Sequence, residues 1–179
     1  GADGELTSEG FHTVGTVARV HHAATDDATL QFVAEGQQRV RIVRWLSAEA
    51  PFLAQVEYLD NVPDDGQEVK AYAMAVMATI KELINHNPLF GEEVKQFLNR
   101  FSPTNPSLIA QFAATITTAD ADKLQAVLEI DETYEQLQRV HDLLRDELEV
   151  AKLHTQIRSE VEDKMTDQQR RFFLQEQLK

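Results

Sequence analysis

All seven glycines and all five prolines of this 179-residue chain lie before Ser107; the last of each are Gly91 and Pro106. Glycine and proline disfavour a helix interior by about 1 and 3 kcal/mol relative to alanine. From Ser107 to Lys179 nothing of that kind interrupts the backbone, so the back of the chain is free to run as long helix, whereas the front is punctuated often enough for short strands. The two ends of the sequence therefore call for different architectures.

From Phe11 to Tyr58 the apolar pattern has a period of two. Val14, Thr16, Ala18 and Val20 alternate with Thr13, Gly15, Val17 and Arg19, and Thr25-Asp26-Asp27 is a turn signal. Leu30, Phe32 and Ala34 resume the alternation until Gly36, which permits a bulge or a tight bend. Val40 and Ile42 then face away from Arg39, Arg41 and Val43. After Pro51, Phe52, Ala54, Val56 and Tyr58 share one face, and Gln55 and Glu57 the other. This predicts about four strands, near the minimum for a stable sheet. Open sheet edges invite pairing, and further strands upstream of Gly1 are expected to complete the layer.

Asn61-Val62-Pro63-Asp64-Asp65-Gly66 reads as a boundary, with Asp64 or Asp65 placed to cap a following helix. Val69, Ala73, Val76, Met77, Ile80, Leu83 and Ile84 recur at helical spacing. A short helix is predicted from Glu92 to Phe101, inward through Val94, Phe97, Leu98 and Phe101. Asn105-Pro106 is an N-cap followed by proline at the first helical position, which opens a helix through Leu108, Ile109, Phe112 and Ile116. Thr118 opens another, inward through Leu124, Val127 and Leu128.

Asp131 is expected to cap the last element, whose stripe Ile130, Tyr134, Leu137, His141, Leu144, Leu148 and Ala151 steps by four and three. Beyond Ala151 the stripe slips, and Leu153, Ile157, Val161 and Met165 continue it at intervals of four. A helix from Glu132 to Lys179 would be about 70 Å long, so its distal half is expected to project. The predicted class is α+β: a partial, mostly antiparallel β-domain over 1–61, a helical bundle over 62–130 and a long helix over 131–179.

Few chemistries fit this chain. It has no cysteine, which excludes disulfides, thiolate catalysis and Cys-ligated metal centres. No G-x-x-x-x-G-K-[ST] loop or G-x-S-x-G elbow occurs. Ser8, Ser47, Ser102, Ser107 and Ser159 read as solvated or capping residues. His21 and His22 are neighbours on a strand and point to opposite faces, so they do not share one ion. His12, His86 and His154 carry no further pattern, and His141 lies on the apolar stripe. No catalytic, cofactor-binding or metal-ligating residue is assigned. With 30 acidic and 17 basic residues the formal charge is −13, which opposes nucleic-acid phosphate and anionic membranes. Arg39, Arg41 and Arg44 form a small basic cluster, and without aromatic interleaving they read as a solvated strand face. The sharper candidates are Met165, Phe172 and Phe173, apolar residues on the helix predicted to project. They would contact unfolded polypeptide or a neighbouring subunit.

Two stretches carry a family resemblance. His12-Thr13-Val14-Gly15-Thr16-Val17-Ala18-Arg19-Val20 with Ala34-Glu35-Gly36-Gln37-Gln38-Arg39-Val40-Arg41-Ile42, and Gln168-Gln169-Arg170-Arg171-Phe172-Phe173-Leu174-Gln175-Glu176-Gln177-Leu178-Lys179, resemble the N-terminal region of the Lon ATP-dependent proteases. Ala34 stands where that family often has valine, and Phe172 and Phe173 stand where it often has tyrosine. The resemblance implies a PUA-like β-domain followed by a helical bundle, in a fragment that lacks the family's opening strands. It further implies selection of unfolded or damaged protein substrates and organisation of a homohexamer in the cytoplasm. The parent would degrade misfolded and short-lived regulatory proteins. ATP, magnesium and a Ser–Lys protease dyad would belong to modules outside this chain, which is itself not an enzyme and meets no membrane. The alternatives are a non-enzymatic coiled-coil adaptor and an RNA-binding PUA-like module.

Overall fold

The computed structural model describes residues 7–26, 29–59, 66–86 and 105–177, with the side chains of 23, 26 and 166–177 left aside. The chain divides into two compact units, Gly1–Val62 with Gln125–Glu132, and Pro63–Leu124 with Thr133–Lys179. The architecture is α+β, as predicted.

In the first unit a 3-10 turn, Ser8–Gly10, precedes three antiparallel strands in the order β1-β2-β3: β1 Val14–Asp26, β2 Thr29–Trp45 and β3 Ala54–Tyr58. About four strands were expected because the runs around Leu30 and Val40 read as separate; they are one 17-residue strand. The register passes from Val17 opposite Gln38 to Ala18 opposite Gly36, so Gln37 is the extra residue of a bulge. The bulge flips the alternation, which makes one strand look like two in sequence. Gly36 flanks it without needing a left-handed backbone, and a Cβ there would meet Thr16 Cγ2 at 3.4 Å, ordinary contact. The left-handed residue is His22, at φ 47°, where the register shifts again between His21 and Ala24. A third shift falls between Ile42 and Arg44. Val14 and Val40 are the buried apolar residues of the strands. At the Trp45 end of β2, the rings of Phe11, Trp45 and Phe52 cluster with centroids 5.0–6.0 Å apart.

The second unit is built on α1 Gln67–His86, α2 Pro106–Thr115, the start of α3 Ala121–Glu129, and α4 Thr133–Gln177. The predicted helix over Glu92–Phe101 and the cap at Asp64 or Asp65 lie outside the described residues. α1 buries Val69, Ala73, Val76, Ile80, Leu83 and Ile84, the predicted stripe less the half-buried Met77. The Asn105 side chain caps α2 by accepting from Leu108 N at 3.3 Å, with Pro106 in the first turn. Leu108, expected inside, is exposed; Ile109, Ala110 and Ala113 take the inner face. Small residues there let α2 approach α1 and α4. Thr118 does not open α3. Asp120 does, accepting from Lys123 N at 2.9 Å, while Thr118 donates its N–H and hydroxyl to Glu147. The N–H of Lys123 holds the Asp120 carboxyl below its ordinary pKa.

α4 buries Leu137, Val140, Leu143, Leu144 and Leu148. Val140 and Leu143 lie off the predicted stripe, whereas Tyr134 and His141 on it are only half buried. The reason is that α1 and α2 both pack on α4, and two neighbours cover a wider arc than a two-helix seam. The pairs Tyr72–Tyr134, Thr79–His141 and Glu82–Lys152 advance in the same sense along both helices, so α1 and α4 run in the same direction.

Candidate functional site

Two features of the described residues lie outside ordinary core and loop packing. The first is an apolar row on α4. After Leu148, the last buried apolar side chain among the described residues, Val150, Leu153, Ile157, Val161 and Met165 follow at steps of three or four and are each 49–57% exposed. Residues at such spacing lie on one face of a helix. Beside the row, Arg158 Nε pairs with Glu162 Oε1 at 2.9 Å, and the neutral Gln156 Nε2 donates to Glu160 Oε1 at 3.0 Å. Lys152 pairs with Glu82 of α1 at 2.6 Å, lowering the Glu82 pKa mainly through that hydrogen bond. Glu82 lies about one turn before α1 ends at His86. Met165, singled out from the sequence, closes the row at 56% exposure. Phe172 and Phe173 lie on the same helix, and their side chains fall outside the described residues.

The second feature was not legible in the sequence. Arg39, expected on a solvated strand face, is buried at 6% exposure. Its Nη1 donates to Leu128 O at 2.9 Å and to Ile130 O at 2.7 Å. These carbonyls belong to the end of α3, where a helix leaves acceptors without intrahelical donors. A glycine after the helix normally permits the turn that satisfies them, but Ile130 and Asp131 follow Glu129. The absence of glycine from the back of the chain thus creates a demand that Arg39 meets, and that absence was the one available clue. Arg41 Nη2 donates to Asp131 Oδ2 at 2.7 Å, so the residue expected to cap α4 is engaged by the sheet two positions before that helix begins. Gln125 Nε2 donates to Val14 O at 2.9 Å, and His12 Nδ1 lies 3.9 Å from Glu129. Burial lowers the Arg39 pKa and the Asp131 charge opposes that shift. Arg39 Nε is buried and meets no acceptor among the described residues; a buried donor left so costs about 1–3 kcal/mol. Arg44 donates to Gln55 at 2.8 Å. All three arginines of the basic cluster are therefore engaged within the protein.

The remaining polar candidates have local roles. His21 Nε2 lies 2.9 Å from Glu35 Oε2, and His22 occupies the left-handed position. His141 Nε2 lies 3.0 Å from Thr79 Oγ1, and its ring meets Tyr72 edge-on at 5.5 Å. Burial and then Arg145 lower its pKa, with Asp142 opposing. Ser47 organises the loop after β2, with Oγ 2.8 Å from both Glu49 O and Pro51 O. Ser107 is buried in the first turn of α2. Among the described residues, no three His, Asp or Glu side chains gather as a metal site, and no helix is long and apolar enough to cross a membrane. The groove lined by Thr118, Asp120, Lys123, Asp146, Glu147 and Val150 is open and charged.

The chain is 42% identical over 170 residues to Lon protease 2 of Hydrogenovibrio crunogenus, and 40% identical over 170 residues to Lon protease 1 of Syntrophotalea carbinolica. Each match covers 94% of this chain but only 19% and 21% of those proteins, so the chain spans about a fifth of their length. The fold is similar to the N-terminal domain of the Mycobacterium avium complex Lon protease, with a TM-score of 0.66 at 18% identity over 78% of this chain and 73% of that one. Residues 2–146 match the family described as the ATP-dependent protease La (LON) substrate-binding domain, and the chain belongs to that family.

Proposed function

We propose that this chain captures unfolded or damaged polypeptide for a Lon-type ATP-dependent protease, and that the α4 row from Val150 to Met165 is its contact surface. The observation that carries this reading is that five large apolar side chains stay half exposed on one helical face. Such a row grips any apolar stretch weakly and without sequence demand, and methionine adapts to varied shapes. Several copies in a homohexamer would add avidity to weak single contacts. ATP and magnesium would be bound, and peptide bonds broken, by modules outside this chain, in the cytoplasm. No residue described here is assigned to catalysis.

The test is fluorescence anisotropy of a labelled, permanently unfolded polypeptide titrated with the chain. Saturable binding that a folded protein and a short RNA do not compete is expected, and the double variant Ile157→Ser, Val161→Ser should weaken it. Equal binding by that variant would sink the assignment to α4.

A second reading, self-association of α4 as a coiled coil, is favoured by the steps of three and four in the same row. Sedimentation of the same double variant separates the two: loss of a dimer with unchanged polypeptide capture would support assembly alone. The RNA-binding reading lacks support, because its three arginines are already engaged.

A further inference from the structure

We infer that Gln125–Glu132 is a releasable strap on the sheet, with Arg39 as its latch. The residues on either side of this segment, through Leu124 and from Thr133, group with the helical unit, whereas the segment itself groups with the strands.

The anchors are mostly polar. Arg39 holds two carbonyls, Arg41 holds Asp131, Gln125 holds Val14 O, and His12 faces Glu129. Val127 is the one fully buried apolar side chain of the segment, and Leu128 and Ile130 are half buried. A segment held by few apolar contacts opens at lower free energy than the core beside it. The Arg41–Asp131 pair is substantially exposed and salt-screened. Arg39 is the buried anchor, and its Nη1 holds Leu128 O and Ile130 O. The latch is thus specific in geometry and concentrated in one side chain, the combination a reversible contact needs.

Hydrogen exchange followed by mass spectrometry on the whole chain tests this. The amides of 125–132 are expected to exchange faster than those of β2 and of 137–148 in the unmodified chain. Arg39→Met should speed strap exchange by roughly tenfold to a hundredfold, the loss of hydrogen bonds to a charged donor, with 137–148 unchanged. Strap amides that exchange in step with β2 in the unmodified chain would overturn the inference. If Arg39→Met unfolds the strands altogether, that comparison in the unmodified chain still decides, joined by the milder Gln125→Leu, which should speed the strap alone.

Discussion

The two halves of α4 are built from the same chemistry and meet opposite fates. Leu137, Leu144 and Leu148 are buried, whereas Leu153, Ile157 and Val161, about one to seven turns further along the same helix, are half exposed. Spacing does not separate them, since both sets step by four or by seven, the intervals of one helical face. What differs is cover: α1 and α2 pack on α4, its buried apolar residues end at Leu148 among the described residues, and the ion pair of Lys152 with Glu82 lies about one turn before the end of α1. A helical stripe announces that a face is apolar, not what will lie on it.

The largest expected break in this comparison comes from the covered half. Leu144→Ala leaves a cavity among fully buried neighbours and should destabilise by about 2–5 kcal/mol in denaturant titration. Arg39→Met removes the donor to two carbonyls. It should cost about 1–3 kcal/mol, read as a lower midpoint for the strand signal from Trp45 than for helix content. On the uncovered half, Ile157→Ala should change stability by under about 0.5 kcal/mol while weakening capture of unfolded polypeptide. A large loss of stability from Ile157→Ala would show that the distal half is covered after all. Gly36→Ala should also stay within about 0.5 kcal/mol, because the site has room and an ordinary backbone.

The smallest effect is a pH dependence at the α1–α4 contact. The folded pKa of His141 is lowered by burial and Arg145, so the unfolded chain binds the proton more readily. Stability from this group is fully present above the unfolded pKa, near 6.5, and falls as pH drops through the lower folded value. His141→Gln should flatten that part of the melting-temperature profile between neutral and mildly acidic pH. An unchanged slope would place the titration elsewhere.

Much of this was legible beforehand. The β-then-α division, the Asn105-Pro106 helix start and the α1 stripe follow from local rules that the structure obeys. The candidate surface was partly legible, since Met165 stood out as an apolar residue on a helix too long to be covered, but the row behind it read only as a slipped stripe. Missed were features set by distant neighbours. Arg39 on an alternating strand looks solvated until a helix end 89 residues away is brought to it. Leu108 and Ile109 are equivalent as local apolar signals until α1 and α4 choose between them.

The sequence by itself determined the helical run after Pro106 and the strand-forming front, because propensity and periodicity act over a few residues. Tertiary structure alone decided which half of α4 is covered, which arginine is buried, and that Gln125–Glu132 joins the strands. Those outcomes depend on which distant groups meet, and on carbonyls at a helix end that must find donors once water is excluded.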